Sequence, residues 1–579
     1  MKNVMKLLVV ICMMLTLVAC GETAPKKESK NPETEITILY TNDVHAHVDE
    51  DLTYASVAAL KKDLTEQGKA VLLVDAGDHV QGTAYGALDN GASIVKLMGA
   101  AGYDAATLGN HEFDYGMARA LEIVSEAEYP YLSCNFKSLT DNKNVLDSYK
   151  MFEVGGVKVA IVGITTPETI TKSTPAYFMD ENQEKYIYEI AAGDNAKNMI
   201  SALQTAINDA IKEGANYVVA LGHVGVDSSS EPYTSEKLIA GVSGLDAFID
   251  GHSHSEVPSQ LVQDKDGKDV VLTQTGNYFD AIGKLTISVE GAITTELVTE
   301  YEAKDETVAA MEEQWILDVG TQLAVEIANT EIEFRISSPE GIRMVRSQET
   351  NLGDFCADAV YWYMNEVEGL NCDMAYANGG GVRADVESGV WTYLTAKTVN
   401  PFGNTTCLIS ITGQQVLDML EFGAKSVGVG ESGGFMQMAG VKYDINPAIE
   451  ATIPTDENGV WQAGPTGEYR VTNVQVYDKE TKTYVDLDLA KTYTIGGSNY
   501  TLRSMGDGFN MFTGYGLVKD YICEDYLLLS AYARAFADAN GDGVADLSTA
   551  TSPLAAYEGY LLNYEDINGS GRITIVTAE

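Results

Sequence analysis

Short apolar runs that end in polar residues are the feature of this sequence that most constrains its fold. In the first half of the chain, runs such as "ITILYTND" (36–43) and "AVLLVDAGD" (70–78) alternate with helical stretches such as "YASVAALKKDLTEQ" (54–67). Alternating strands and helices predict an α/β fold built on largely parallel sheets. Ligands of such sheets bind at the carboxyl ends of the strands, so the residues there are the first candidates for a functional site.

Those strand ends carry only oxygen and imidazole donors. All seven histidines of the chain lie between positions 45 and 254, and the second half has none. Such donors suit two divalent cations of the Zn, Mn, Co or Fe type. A shared carboxylate can hold two ions roughly 4 Å apart, which is the spacing of sites that split phosphate esters. The residues at the strand ends are Asp43, His45, Asp78, Asn110, His223, His252 and His254.

These motifs, taken in order, resemble those of the calcineurin-like metallophosphoesterases, and "GNHEFDYG" (109–116) is similar to the 5'-nucleotidase branch. The resemblance implies a first metal held by Asp43, His45, Asp78 and His254. It implies a second metal held by Asp78, Asn110, His223 and His252, with Asp78 bridging. It also implies a catalytic dyad of His111 and Asp114. Three neighbours match no such role and are expected to be structural or peripheral: His47, His79 and Glu112.

The fold implied by the resemblance is an N-terminal two-sheet αββα metallophosphoesterase sandwich, joined by a helix to a C-terminal α/β substrate-binding domain. The implied reaction is hydrolysis of nucleoside 5'-monophosphates to nucleoside and phosphate by in-line attack of a metal-bound hydroxide. Hydrolysis of 2',3'-cyclic nucleotides, UDP-sugars or NAD is the alternative within this class. A surface nucleotide-binding protein without catalysis is the alternative outside it.

The second half carries motifs that resemble the 5'-nucleotidase substrate-binding domain. "AYANGGGVRADV" (375–386) combines glycines, which permit close approach of a ligand, with an arginine that can clamp a phosphate or carboxylate. The family's first base-stacking aromatic is matched to Phe435 in "GGFMQ", and the second to Tyr500, with Thr501 as the alternative. The substrate contacts predicted in this half are Arg346, Asn378, Gly380, Arg383, Phe435, Tyr500 and Asp507.

The two ends of the chain predict export and an additional cation site. Residues 1–19 are typical of a lipoprotein signal peptide, which implies lipidation of Cys20, a flexible tether over 20–35 and an outward-facing lipid anchor outside the cytoplasm. The expected domains are a catalytic domain at 36–305, a linker helix at 306–330 and a substrate-binding domain at 331–579.

The loop "DANGDGVADLST" (538–549) has calcium-loop spacing but lacks the closing carboxylate, as does a second loop from Asp566, so calcium binding and a plain polar turn both stay open. The donors of the first loop are Asp538, Asn540, Asp542 and Asp546.

The net charge disfavours polyanionic partners, and the cysteine pattern disfavours a disulfide framework. The formal net charge of −46 repels nucleic-acid polymers and anionic lipid surfaces, although a small anionic nucleotide can still bind beside a local positive charge. The five cysteines left after Cys12 and Cys20 are scattered and odd in number, so we expect small core residues rather than a disulfide framework. The sequence does not fix the oligomeric state.

Overall fold

Two six-stranded sheets pack face to face in the N-terminal half of the computed structural model, which describes residues 25–182, 185–227, 230–512, 514–519 and 522–576. In spatial order, the first sheet consists of the strands Ile293–Val298, Ile282–Ile287, Ile36–Thr41, Ala70–Asp75, Ala105–Thr107 and Tyr131–Leu132. The second consists of Glu256–Gln263, Asp269–Thr275, Ala247–Ile249, Tyr217–His223, Val157–Thr165 and Tyr149–Val154.

The strands that carry the predicted ligands run parallel within each sheet. Residues 36–41 pair in parallel with 70–75, and residues 217–223 pair in parallel with both 157–165 and 247–249. Their carboxyl ends therefore meet at one edge. Alternate apolar side chains, such as Ile38 and Val219, fill the space between the sheets, and their burial is the main source of cohesion there.

Helices cover the outer faces of both sheets, which confirms the αββα sandwich. Buried residues of these helices, such as Leu60 and Leu203, form one apolar cluster on each outer face. The helices on the first sheet are Tyr54–Glu66, Ala92–Ala101 and Met117–Glu126, with a short turn at Ala84–Ala87. Those on the second sheet are Lys197–Lys212 and Ser235–Gly241, and a further short helix, Thr169–Lys172, lies near the ligand edge.

The connecting helix is shorter than predicted. It spans Glu306–Leu323 rather than 306–330, and Glu326–Thr330 is a strand that pairs with the C-terminal half. Asp305 caps the helix, since its side chain accepts the N–H groups of Thr307 and Val308. The buried Glu312 accepts hydrogen bonds from Thr53 and from the N–H of Ala55. The helix therefore packs on the N-terminal half, and the chain crosses to the other half only after residue 323.

The C-terminal half is a second α/β unit with three sheets. Its five-stranded sheet consists of Met436–Ala439, Met374–Asn378, Thr492–Ser498, Thr406–Thr412 and Gly516–Lys519. The smaller sheets consist of Thr483–Asp486, Val471–Asp478, Val441–Ile445 and Ile573–Ile575, and of Gly389–Thr392, Glu326–Thr330 and Ala545–Leu547. Its helices are Asn351–Trp362, Tyr393–Val399, Gly413–Gly423, Asn499–Ser504 and Asp525–Arg534. The helix Asn351–Trp362 is almost wholly buried, and Thr350 caps it by accepting the Gly353 N–H.

The predicted tether is not free where the structure describes it. Lys27 pairs with Asp246, and the N–H of Glu33 donates to Gly155 O at 2.8 Å, so residues 27–33 lie against the catalytic half. The signal peptide at 1–19 and Cys20 lie outside the described residues. In the part of the chain that is described, the helices are too short or too polar to cross a membrane. Among the described residues, the five remaining cysteines form no disulfide, and all but Cys523 are buried, as expected of core residues.

Candidate metal centre and substrate cavity

The predicted metal ligands converge at the carboxyl edge of the two sheets. Ligand atoms of Asp43, His45 and His254 lie within 4.8 Å of one another, and the same holds for Asp78, His223 and His252. Asp78 Oδ2 lies 3.1 Å from His223 Nε2 and 3.9 Å from His45 Nε2, so its carboxylate stands between the two groups. This is the arrangement that a bridging carboxylate requires.

Hydrogen bonds from behind orient the imidazoles. His45 Nδ1 contacts Gln81 O at 2.8 Å, and His223 Nδ1 contacts Ala76 O at 2.8 Å. Because a carbonyl oxygen only accepts, both Nδ1 atoms carry a proton, and each Nε2 atom faces the centre. His252 is held the other way round, since its Nε2 contacts the Glu168 carboxylate at 3.0 Å and leaves Nδ1 towards the centre.

The residues fit two cations on three independent observations. First, Asn110 Oδ1 is buried without a hydrogen-bond partner among the described residues. Second, His45 Nε2 and His254 Nε2 are only 3.0 Å apart, and burial holds the pKa of both imidazoles well below the usual range. Third, burial raises the pKa of the Asp43 carboxyl to about 8, and the nearby His223 offsets this only in part.

Backbone strain is concentrated at these ligands. A left-handed φ is rare for residues other than glycine, and it commonly marks a functional site when the fold enforces it. Five predicted ligands adopt it, each at a turn that follows a strand. They are Asp43 (φ 51°), His45 (52°), Asp78 (59°), His252 (81°) and His254 (53°).

The turn that carries Asp78 and the turn that carries Asn110 are locked together. A Cβ atom at Gly109 would lie 2.2 Å from Asp78 Oδ1, so only glycine fits there. The fully buried Glu112 carboxylate accepts the N–H groups of Asp78 and His79 at 2.9 Å and that of Gly109 at 2.6 Å. Glu112 is thus structural, as expected, and it fixes the spacing of the two turns.

His111 and Asp114 form a hydrogen-bonded pair at the edge of the centre. His111 Nδ1 contacts Asp114 Oδ2, and the N–H of His111 donates to Asp78 Oδ1 at 2.7 Å. Burial opposes the charged imidazole, but the carboxylates of Asp114 and Asp78 outweigh it and raise the pKa of His111. The His111 ring stays partly exposed to the adjoining cavity, so it can donate a proton or a hydrogen bond to a bound anion.

One cavity of about 860 Å³ joins the metal centre to the C-terminal half. Its size suits a small organic ligand. It is lined by both members of the dyad and by six of the seven predicted substrate contacts: Arg346, Asn378, Gly380, Arg383, Tyr500 and Asp507. Tyr500 rather than the fully buried Thr501 faces the cavity, and its hydroxyl accepts the Asp507 N–H at 2.9 Å.

Phe435 is the predicted substrate contact that the structure does not place in the cavity. Its side chain is 1% exposed and packs in the apolar core of the C-terminal half. Only its backbone supports the site, because Phe435 O accepts the Gly379 N–H at 2.7 Å. The residue directly precedes a buried strand, Met436–Ala439, and the burial of its ring in the core excludes it from a stacking role in this structure.

Phe402 and Arg343 are among the lining residues that the sequence reasoning missed. The Phe402 ring lies 6.2 Å from the His111 ring. The Arg383 guanidinium lies 5.7 Å from the centre of the Phe402 ring. The signal was its position in the turn "NPFGN", where an aromatic between proline and glycine has little core to enter. Arg343 adds a third guanidinium to the wall, and burial together with Arg343 and Arg383 lowers the pKa of Arg346 to about 9.

Backbone N–H groups of the predicted calcium loop donate to carboxylates of the same loop. Asp538 accepts the N–H groups of Gly541 and Gly543, and Asp546 accepts those of Ala539 and Asn540. In the second loop, Asp566 accepts the Asn568 N–H. Calcium binding at either loop stays a prediction.

A pair of buried ligand groups that share a carboxylate, beneath a cavity lined by arginines, defines a metal-dependent phosphoric ester hydrolase. Comparison with known families gives the same class: residues 36–256 match the calcineurin-like phosphoesterases, and residues 326–514 match the 5'-nucleotidase C-terminal domain. The chain therefore belongs to the 5'-nucleotidase family of metallophosphoesterases. An enzyme is thus favoured over the surface binding protein considered from the sequence.

Similar proteins span both halves. The chain is 28% identical over 533 residues to the trifunctional nucleotide phosphoesterase YfkN of Bacillus subtilis, which covers 85% of this chain but only 33% of that longer protein. It is 28% identical over 529 residues to the snake venom 5'-nucleotidase of Crotalus adamanteus, covering 83% of each chain. A solved structure of a 5'-nucleotidase precursor from Thermus thermophilus has the same fold, with a TM-score of 0.72 at 24% identity, and the match covers 94% of this chain and 100% of that one.

Proposed function

We propose that this protein acts outside the cytoplasm as a two-metal phosphoesterase that hydrolyses nucleoside 5'-monophosphates to nucleoside and phosphate. The observation that carries the proposal is the shared cavity. It brings the metal-ligand cluster and His111 of one half together with arginines and aromatic rings of the other. A nucleotide has a phosphate for the metal-ligand cluster, His111 and the arginines, and a base for the aromatic rings.

The metal ligands divide into two sets around Asp78. Asp43, His45 and His254 would hold one divalent cation, and Asn110, His223 and His252 the other, with the Asp78 carboxylate shared. When bound, the two cations would supply a nucleophile near neutral pH and screen the phosphate charge. Glu168 holds the His252 ring in place through its Nε2 atom.

His111 would stabilise the charge that develops on the phosphate during attack. Its Nδ1 is bound to Asp114, so its Nε2 is the atom free to donate towards a phosphoryl or leaving oxygen. Asp114 fixes this tautomer and supports the cationic form of the ring. Arg343, Arg346 and Arg383 would hold the remaining phosphate charge, in a part of the cavity where burial strengthens the attraction.

The nucleoside would lie against the wall that the C-terminal half contributes to the cavity. Phe402 and Tyr500 offer two aromatic faces for a base, and the Asp507 carboxylate offers an acceptor for hydroxyl or amino groups. We include Phe402 as the first aromatic in place of Phe435. Asn378 Nδ2 lies 3.3 Å from Asp507 Oδ2, so these two side chains would contact the ligand together.

Export and a lipid anchor at Cys20 complete the proposal. The apolar start of the chain supports export, and one similar protein is by name a venom enzyme. Another is by name trifunctional and acts on nucleotides, which supports testing 2',3'-cyclic nucleotides, UDP-sugars and NAD beside the monophosphates. The metal centre is common to all four substrates, and the cavity decides among them.

The test is phosphate release from soluble protein that begins at residue 25, after the predicted lipidation site. Metal-stripped protein is reloaded with Mn²⁺, Zn²⁺ or Co²⁺ and given a panel of 5'-monophosphates, cyclic nucleotides, UDP-glucose and NAD, with a coupled phosphatase for the diesters. Metal-dependent release from 5'-monophosphates with the highest kcat/KM supports the proposal. Protein that holds two metals and releases phosphate only from another member of the panel contradicts the proposed substrate.

A further inference from the structure

Tyr278 joins the metal edge to the C-terminal half. It follows the strand Asp269–Thr275 in a turn with φ of 50°, and its N–H donates to the carbonyl of the ligand residue Asp43 at 3.0 Å. Such a conformation is strained for a tyrosine and is kept only where the surroundings enforce it. The sequence reasoning assigned this residue no role.

Both ends of the Tyr278 side chain are occupied. Its ring stacks on His47 with centroids 4.2 Å apart and an angle of 22° between the planes. The same ring meets the edges of His45 and His254, at 5.6 Å and 5.8 Å. Its hydroxyl accepts a hydrogen bond from Arg343 Nη2 at 2.7 Å, across the boundary between the two halves.

Arg343 lies beside two other positively charged side chains. Arg346 and Arg383 are close enough to repel it, and they share the same wall of the cavity. Among the described residues, no carboxylate lies within ion-pair distance of the Arg343 guanidinium, because Glu431 accepts its backbone N–H instead. The Tyr278 oxygen is thus the fixed acceptor that counters the repulsion in the described part of the chain.

We propose that Tyr278 is a positioning residue that holds Arg343 over the metal edge, so that the phosphate is gripped by both halves in one geometry. Tyr278 does not line the cavity, whereas Arg343 does, so the tyrosine acts through the arginine. The inference rests on the proposed function, because it needs an anionic substrate beside the arginines.

The test is a double-mutant cycle of Tyr278→Phe and Arg343→Gln. Phenylalanine keeps the stack on His47 and removes only the acceptor. We expect kcat/KM for adenosine 5'-monophosphate to fall about 10-fold in Tyr278→Phe, mostly through KM, as for the loss of one hydrogen bond to a charged group. The Kd of the non-hydrolysable analogue adenosine 5'-(α,β-methylene)diphosphate should rise by the same factor in calorimetry. The double variant should be no worse than Arg343→Gln alone.

The matched control is Tyr85→Phe, which also removes a tyrosine hydroxyl bonded to a charged group, here to Asp49 at 2.9 Å, outside the cavity. Metal content and melting temperature are measured for every variant, so that a folding defect is separated from a positioning defect. Losses that multiply in the double variant, or a Tyr278→Phe variant that behaves like Tyr85→Phe, would overturn the inference alone. Wild-type protein that holds two metals but neither binds nor hydrolyses nucleotides would overturn the proposed function as well.

Discussion

Replacing Glu112 by glutamine should weaken metal binding, although it leaves every predicted metal ligand unchanged. The carboxylate accepts one N–H from the Asp78 turn through Oε2 and another, from His79, through Oε1, while Oε2 also accepts from Gly109. A glutamine amide has one oxygen only, so in either orientation at least one N–H group faces an NH₂ donor. A lost hydrogen bond to a buried charged group costs roughly 1.5–3 kcal/mol, and weakening of the others brings the expected loss of unfolding free energy to about 3 kcal/mol.

The same change should lower metal affinity, because Glu112 sets the distance between the turns that carry Asp78 and Asn110. Loss of such a supporting contact typically weakens binding about 10- to 100-fold. Denaturant unfolding gives the stability change, and calorimetric titration of metal-stripped protein gives the affinity. Glu122→Gln is the control, since that carboxylate is exposed and pairs with Arg119 within the helix Met117–Glu126. A Glu112→Gln variant with wild-type stability and wild-type metal affinity would refute the reasoning.

Three further predictions test the site. His111→Ala should lower kcat by about 10²- to 10⁴-fold while the metal content measured by mass spectrometry stays at the wild-type value, and undiminished kcat in metal-loaded protein would remove the dyad. Phe402→Ala should raise KM for adenosine 5'-monophosphate with little change in melting temperature. Phe435→Ala should instead destabilise the fold by about 3–5 kcal/mol, as for a buried phenylalanine. The opposite pattern would restore Phe435 as the stacking residue. Chelation should lower the melting temperature and Mn²⁺ should restore it, since a ligand at roughly 1,000 times its Kd stabilises by about 4 kcal/mol, and an unchanged scanning-calorimetry trace would contradict metal binding.

The metal ligands could be predicted from sequence because topology brings them together. Asp43, Asp78 and His223 each end or closely follow a strand, and parallel strands place their carboxyl ends at one edge whatever the details of packing. The motif resemblance then assigned them to two metals. The structure brings ligand atoms of Asp43, His45 and His254 within 4.8 Å of one another, and likewise those of Asp78, His223 and His252. The sequence around each strand end was therefore enough to predict most of the candidate metal ligands.

The substrate end was predictable only in part, because packing decides where an aromatic ring points. Phe402 and Phe435 both stand beside glycines in loops of the C-terminal half, and the sequence favoured the one that the core absorbs. The end of the connecting helix has a similar cause. Residues 326–330 can continue a helical pattern, but they pair with residues 389–392 and 545–547, which lie far away in sequence. In both cases, contacts between residues far apart in sequence decide the outcome, through core packing for the aromatic rings and through strand pairing for the helix end.

Backbone strain and buried, uncompensated charge occur together at the metal centre. Their occurrence at one site helps to explain why the fold tolerates each of them. Each left-handed ligand costs roughly 1–3 kcal/mol relative to a relaxed backbone. The buried Asp43 carboxylate and the unpartnered Asn110 oxygen, in the part of the chain that the structure describes, add costs that a bound cation would offset. The pairing of strands in two six-stranded sheets and the Glu112 hydrogen bonds support the turns in this geometry. The hydrogen bonds of the fold therefore offset part of the cost of the strained turns that carry the ligands.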